Sequence, residues 1–471
     1  MKIFVYGFAN TPLFFNEVFR ESKNLNDNIE WGIIFPNSPY KNSSDNILKE
    51  DNIFYLYDKF NEIFKSNYKA VKYNFKVEAD NIHKMIAASK NGYDRHSSNH
   101  QERNANIIYQ LYKSFLVNNT PDYIIFPDVE TADGIILLNI CKELDICILY
   151  NVHTRYLGQS FFAQDAYETL PVFFGKYDDN DLLKSKSILQ KYYSNELNPF
   201  NLNIDNSDII KIELPNIIQR FISGLKNTFK YESNAIIESK ISTKFLKLIP
   251  TIRRSFLMLK FNFFQKKYFK ALSNIDGKPQ KFIFFPLQMT PESSINTLES
   301  YFIDQLKLID LIRLNMPHNF FLLVKEHPVM IGERKSNFYN EINKKSGVLL
   351  VKNNLSTKKL IKMASLIITV TGTVGLEAYL DDRNILMFGP TFFSHLCDRH
   401  RSYENIKTEI FNAIHNKKEK KTKVTEIAKI INISYDFTLN DPLFFNCILS
   451  KSNVKNFLCA VKNHINRREN V

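Results

Sequence analysis

Two stretches decide how this chain reads: Lys325-Glu326-His327-Pro328 and Thr371-Gly372-Thr373-Val374-Gly375-Leu376-Glu377-Ala378. Each follows a short apolar run with strand character, residues 320–324 before the first and 366–370 before the second. In an open α/β sheet, ligands sit outside the carboxyl ends of the strands. The second stretch also opens a helical pattern, so its small residues and backbone N–H groups suit an anion such as phosphate. It lacks the Gly-Lys-Ser/Thr ending of a Walker loop and the GxGxxG spacing of a dinucleotide fingerprint. The chemistry is therefore expected in the C-terminal half.

Around these stretches the pattern is strand, helix, strand. Runs at 281–285, 320–324, 348–351, 366–370 and 385–388 read as strands, with helices expected at 300–315, 356–364 and 374–380. The N-terminal half alternates in the same way. Strands are expected at 3–5, 29–35, 53–56, 123–126 and 146–150, with helices at 104–118 and 132–144. Such alternation predicts parallel sheets wrapped by helices. Four segments result: a Rossmann-like domain at 1–195, a helical basic segment at 196–276, a second Rossmann-like domain at 277–430, and a helical tail at 431–471. No internal repeat is evident.

A chain of 471 residues accommodates two or three domains, and 44% hydrophobic with 14% aromatic content indicates globular folding. A net charge of +13 favours anionic partners, although part of the lysine excess reads as plain solvated surface. The cations concentrate between Glu238 and Asp276, where nine Lys or Arg and no acid interleave with Phe and Leu. A basic amphipathic segment at 240–270 suits an anionic membrane surface, or packs its apolar stripe on the core and solvates its lysines. Five scattered cysteines without CxxC spacing fit neither a disulfide framework nor zinc, and point to a reducing compartment. The apolar N-terminus reads as a first buried strand rather than a leader. No apolar run approaches the roughly 18 residues of a membrane span. No DNA- or RNA-binding motif is present.

Individual side chains extend the expected site. Phe285-Pro286-Leu287-Gln288-Met289-Thr290-Pro291-Glu292-Ser293 leaves a strand through a proline-stiffened turn. Gln288 could read a base or sugar edge, and Glu292 could accept a hydrogen bond or stabilise a helix start. Lys325 and His327, in a loop stiffened by Pro328, offer donors to a phosphate without a metal. Glu377 could accept ribose hydroxyls, or simply favour the helix dipole. In the N-terminal half, Asp128 and Glu130 follow a strand and precede a helix. Either could take a proton from an acceptor hydroxyl or act as nucleophile, and Asp128 could equally cap the helix. His153 is a second candidate base. Arg155 could bind a sugar carboxylate, as could Arg95 in the polar stretch 92–103.

The ordered motifs PLQxxPES, KEHP, TGTVGLEA and FGPTFF, at residues 286–393, resemble the bacterial capsule polysaccharide biosynthesis proteins. These are GT-B glycosyltransferases related to the CMP-Kdo and CMP-sialic acid transferases that carry an HP motif. The resemblance covers residues 282–393 well, and the first 200 residues only in general architecture. It implies two Rossmann-like domains facing a cleft, with the C-terminal one holding a nucleotide sugar. It further implies that His327, Pro328 and Thr371, Gly372 and Thr373 hold the nucleotide phosphate and Glu377 the ribose, without metal or resident cofactor. The expected activity is transfer of an acidic sugar from a CMP donor to a glycan or glycolipid acceptor, at the cytoplasmic face of a membrane. A UDP-sugar epimerase-like enzyme, a CDP-glycerol-type phosphotransferase, or a non-catalytic membrane- or nucleic-acid-binding protein are the alternatives.

Overall fold

The computed structural model describes residues 1–36, 43–66, 98–129, 131–155, 158–197, 281–290, 302–331, 334, 337–399, 404–415, 422–440, 442 and 446–470. The helical basic segment, Arg95, Glu130 and Glu292 lie outside these residues. The chain divides into two compact units. The first holds residues 1–203, 233–240 and 421–471; the second holds 204–232 and 241–420.

The first unit is built on six strands: β1 (Lys2–Tyr6), β2 (Glu30–Phe35), β3 (Ile53–Tyr55), β4 (Tyr123–Phe126), β5 (Cys147–His153) and β6 (Ser160–Ala163). Their order is β3-β2-β1-β4-β5-β6, parallel except for β6. Central strands covered on both faces need unbroken apolar runs, and Ile3–Tyr6 are all fully buried. One face carries α1 (Thr11–Asn24), whose Phe14, Phe15, Val18 and Phe19 join Ile3, Val5 and Ile33 in the core. The other face carries α2 (Leu56–Ser66), α3 (Ser98–Asn119) and α4 (Ala132–Glu143). There Phe4 meets Phe115 at 5.5 Å and Tyr6 meets Phe126 at 5.6 Å. Helix α5 (Asp179–Tyr193) follows, opened by a reciprocal capping box between Asp178 and Asp181.

The second unit repeats this plan. Its strands are β7 (Lys281–Pro286), β8 (Phe320–Lys325), β9 (Val348–Val351), β10 (Leu366–Thr369), β11 (Ile385–Met387) and β12 (Asp398–Arg399). All six are parallel, in the order β12-β11-β10-β7-β8-β9. Helices α6 (Gln305–Asn315), α7 (Phe338–Asn343), α8 (Thr357–Met363), α9 (Val374–Leu380) and α10 (Ile406–His415) intervene. Ile283, Phe285, Leu322, Val324 and Ile368 form a core with Leu308, Ile309 and Ile312 of α6 and Ile410 of α10. Helix α6 starts at 305 rather than at the expected 300. The Asp304 carboxylate accepts the N–H groups of Leu306 and Lys307 and fixes the start there.

The expected boundary at 430 falls inside α11 (Lys423–Ile433), and that helix belongs to the first unit. Ser185 of α5 donates to the Val424 carbonyl at 2.7 Å, and Asn432 donates to Asp181 at 2.8 Å. Helix α12 (Lys451–Glu469) then packs beside α1 on the same face of sheet β1–β6. Phe457 packs edge-on against Phe14 at 5.2 Å and Phe437 at 5.2 Å. The tail is thus a structural layer of the N-terminal unit. Strands β6 and β12 and helices α1, α2, α5, α7 and α10 have no counterpart among the sequence-based expectations.

Candidate functional site

In the second unit, β10 and β8 lie on either side of β7. The chain runs from β7 out through β8 and β9 on one side and then crosses back to β10 on the other, so the gap between β7 and β10 is the topological switch point, where open α/β sheets bind ligands. The loops after β7, β8 and β10 carry Gln288, Lys325 to Pro328, and Thr371 to Thr373 respectively. The structure therefore brings the sequence-selected residues of this unit to one sheet edge.

Gln288 is a brace across the switch point. Its side chain is buried, and Nε2 donates to Thr369 Oγ1 at 2.9 Å and to the Pro286 carbonyl at 3.3 Å. Gln305 holds its backbone on both sides, accepting from Gln288 N–H at 2.8 Å and donating to its carbonyl at 3.1 Å. The side chain expected to read a base or sugar edge is thus committed to joining β7 to β10. Gly372 is required beside it. A Cβ at that position would lie 2.8 Å from Thr369 Oγ1 and 3.1 Å from Gln288 Nε2. The Gly372 N–H itself donates to Thr369 Oγ1 at 3.2 Å, so it points into the brace rather than outward. Thr371 is buried, while Thr373 and Glu377 are half-buried.

The loop after β8 is held by residues that the motif reading passed over. Glu326, 1% exposed, accepts Arg334 Nε at 3.0 Å and Nη2 at 3.1 Å, the Tyr339 hydroxyl at 2.7 Å and the His327 N–H at 2.7 Å. Arg334 also donates to the Gln288 carbonyl at 2.7 Å and to Thr290 Oγ1 at 3.0 Å. One buried ion pair therefore ties the loops after β7 and β8 together. Removing one partner leaves a buried, uncompensated charge, which costs about 3–5 kcal/mol. Glu326 stands inside the KEHP motif, but nothing local marks Arg334 as its partner eight residues later.

Lys325 donates to the Leu355 carbonyl at 2.6 Å and to Thr357 Oγ1 at 2.8 Å, anchoring the start of α8. Burial pulls its amine down to about 8, opposed by the negative charge of Glu377. Burial also lowers the pKa of His327, partly offset by Glu326 and reinforced by Arg334 and Lys325. A neutral His327 ring remains a hydrogen-bond donor without adding charge.

In the first unit, Asp128 sits just beyond β4. Its Oδ1 accepts the Val129 N–H at 2.6 Å and the Tyr150 hydroxyl at 3.0 Å, donors that favour the ionised carboxylate. His153 ends β5 with Nδ1 accepting the Arg155 N–H at 3.0 Å. Burial, helped by Arg155, pushes it down to about 4, which makes it a weak base. Arg155 is strained, with φ of 63°, and its guanidinium pairs with Glu168 at 3.1 Å and donates to the His153 carbonyl at 2.9 Å. Any sugar carboxylate would compete with Glu168 for it. Among the described residues, no group of three or more His, Cys, Asp or Glu could hold a metal ion, and no helix is long and apolar enough to cross a membrane.

Fold and strand order define a two-unit α/β protein with a Rossmann-like sheet in each unit. The family resemblance read from the motifs is borne out: residues 225–437 match the family described as capsule polysaccharide biosynthesis protein. No curated protein matches the chain. Among solved structures, the chain is similar to Thermosulfurimonas dismutans KpsC, beta Kdo 2,7 transferase, at 10% identity over 94% of each chain, with a TM-score of 0.35. The KpsC beta Kdo 2,4 transferase of the same organism shows 13% identity over 66% of this chain and 79% of its own, with a TM-score of 0.31. Methanocaldococcus jannaschii UDP-GlcNAc 2-epimerase, solved with UDP-GlcNAc and UDP, shows 14% identity over 92% of this chain and 99% of its own, with a TM-score of 0.27. Likenesses at these TM-scores carry no inference about chemistry.

Proposed function

We propose that the protein is a glycosyltransferase of surface polysaccharide assembly. It moves an acidic sugar of the Kdo or sialic acid kind from a CMP donor to a glycan or glycolipid acceptor. The observation that supports this reading most is that KEHP and TGT leave strand ends on either side of β7, within the segment matching the capsule family. In this reading the half-buried Thr373 and His327, with Lys325 behind them, face the donor phosphate, and Glu377 faces the ribose. Hydrogen-bond donors and positive charge held in place before reaction stabilise the anion that grows as the C–O bond breaks. Asp128, whose Oδ1 accepts the Val129 N–H and the Tyr150 hydroxyl, takes the proton of the acceptor hydroxyl or serves as nucleophile. The basic segment at 240–270 brings the enzyme peripherally to an anionic membrane at its cytoplasmic face.

Calorimetric titration with CMP, UDP and CDP, on the native chain and on His327→Ala, tests the donor site. CMP binding that weakens at least tenfold in the variant is expected. Preference for UDP or CDP would move the reading to an epimerase-like enzyme or a CDP-glycerol-type phosphotransferase. Absence of binding by all three nucleotides would sink the transferase reading.

A further inference from the structure

The carboxyl end of β5 holds an ion pair that the nucleotide reading leaves aside. Arg155 follows β5 by two residues and has a φ of 63°. Glu168, in the turn after β6, has a φ of 56°. Left-handed backbone is uncommon for residues that carry a Cβ, and here two such residues face each other. Arg155 Nη2 donates to Glu168 Oε1 at 3.1 Å, and the two side chains are 18% and 15% exposed. Strain of this kind persists only where the surroundings impose it, and it concentrates at ligand sites.

The contacts that impose it are separate on the two sides. The Arg155 N–H donates to His153 Nδ1 at 3.0 Å, and Nη1 donates to the His153 carbonyl at 2.9 Å. The end of β5 thus holds the guanidinium by contacts that do not involve Glu168. Asp165 builds the other side. Its Oδ1 accepts the N–H groups of Tyr167 and Thr169 at 2.9 and 3.2 Å, and its Oδ2 accepts Thr169 Oγ1 at 2.9 Å. That turn presents Glu168 to Arg155. A guanidinium fork held in a partly sheltered place is a seat for a carboxylate, and here the chain supplies one of its own. The seat lies near the candidate base. Burial, then Asp128 and Glu168, push the Tyr150 hydroxyl well above its ordinary value, so Glu168 is within electrostatic reach of the hydroxyl that donates to Asp128.

We infer that Glu168 is an internal stand-in for the carboxylate of an acidic sugar: it occupies Arg155 in the free protein, and the sugar carboxylate takes its place. Arg155 then selects for the charge of the sugar as well as binding it, because a neutral sugar has nothing to exchange for Glu168. An ion pair that only holds Arg155 in position predicts the opposite sign. Neutralising a stand-in frees the seat and tightens binding, whereas neutralising a strut loosens the seat and weakens it. The inference rests on the transferase reading for the identity of the sugar.

The test is calorimetric titration of the full chain with free Kdo, with free N-acetylneuraminic acid and with the methyl ester of the latter. E168Q should bind the free acids roughly 10-fold tighter or more than the native chain, since deleting a competing state restores the fraction of competent seats. E168N should match it; asparagine tolerates left-handed backbone, which keeps the test open if E168Q does not fold. R155M in the E168Q background should abolish the gain, and the ester should bind every form alike. Affinity for both acids that falls or stays level in the Glu168 variants, or a gain that the ester shares, would overturn the inference. Saturating CMP-N-acetylneuraminic acid identifies the source of the carboxylate. It excludes the free acid if Arg155 seats the donor sugar and leaves it bound if Arg155 seats an acceptor sugar; either result upholds the exchange with Glu168. The free sugars carry no nucleotide, so this test and the nucleotide titration fail independently.

Discussion

Lys325 shows how one side chain gains a property that its type does not announce. As a lysine after a strand it reads as a cation near a phosphate, but burial brings its amine from an ordinary 10.5 to about 8. Two consequences of opposite sign follow. Anion binding that uses this charge weakens as pH rises through about 8, so CMP affinity should fall there by roughly 10-fold or more, the scale of a charge-assisted hydrogen bond. Stability behaves the other way: the folded chain releases this proton before the unfolded chain does, so stability from this group rises between about 8 and 10.5. K325M should abolish both trends in paired calorimetric and urea titrations. An affinity that is flat across this range would remove Lys325 from the donor site. Its position at the sheet edge was legible in the sequence because strand periodicity is local. Its buried contacts with Leu355 and Thr357 were not, because they join different segments of the chain.

At the scale of elements, the loops after β7, β8 and β10 are local objects in sequence but one braced unit in space. The small residues of TGTVG were legible as a close-approach turn, and the structure identifies what approaches Gly372, namely Gln288 and Thr369. G372A should wedge that bridge apart and cost about 1–3 kcal/mol, as overpacking does. G375A meets the flexible Met387 sulfur and the Phe393 ring at 3.2 Å each, and Thr369 Cγ2 at an ordinary contact distance of 3.4 Å, and should cost less. Urea midpoints compare the two, and equal midpoints would deny the brace. The Glu326–Arg334 pair escaped the sequence reading for a physical reason. A buried ion pair depends on which loops the sheet order places side by side, and charge alone does not distinguish Arg334 from a solvated arginine. The Arg155–Glu168 contact escaped for the same reason, since nothing local marks Glu168 among the acids of the chain.

Across the whole molecule, the two sheets share one strand order although no internal sequence repeat is visible. What recurs is the alternation of apolar strands with amphipathic helices, which many sequences satisfy. The tail makes the dependence on tertiary structure measurable. Phe457 is fully buried between Phe14, Phe15, Phe162 and Phe437, so F457A should destabilise the first unit by about 3–5 kcal/mol. Hydrogen exchange should then show β1 and β2 losing protection while β7 and β8 keep theirs. Equal loss in both units would contradict the assignment of the tail. The sequence by itself determined the element types, the parallel sheets and the edge that carries the motifs, because hydrophobic period and turn chemistry act over a few residues. Only the tertiary structure decided that residues 421–471 complete the first unit, that Glu326 finds Arg334, and that Glu168 meets Arg155. Those outcomes depend on which buried faces and charges remain unmatched once the sheets have formed, and the chain must fold before that is settled.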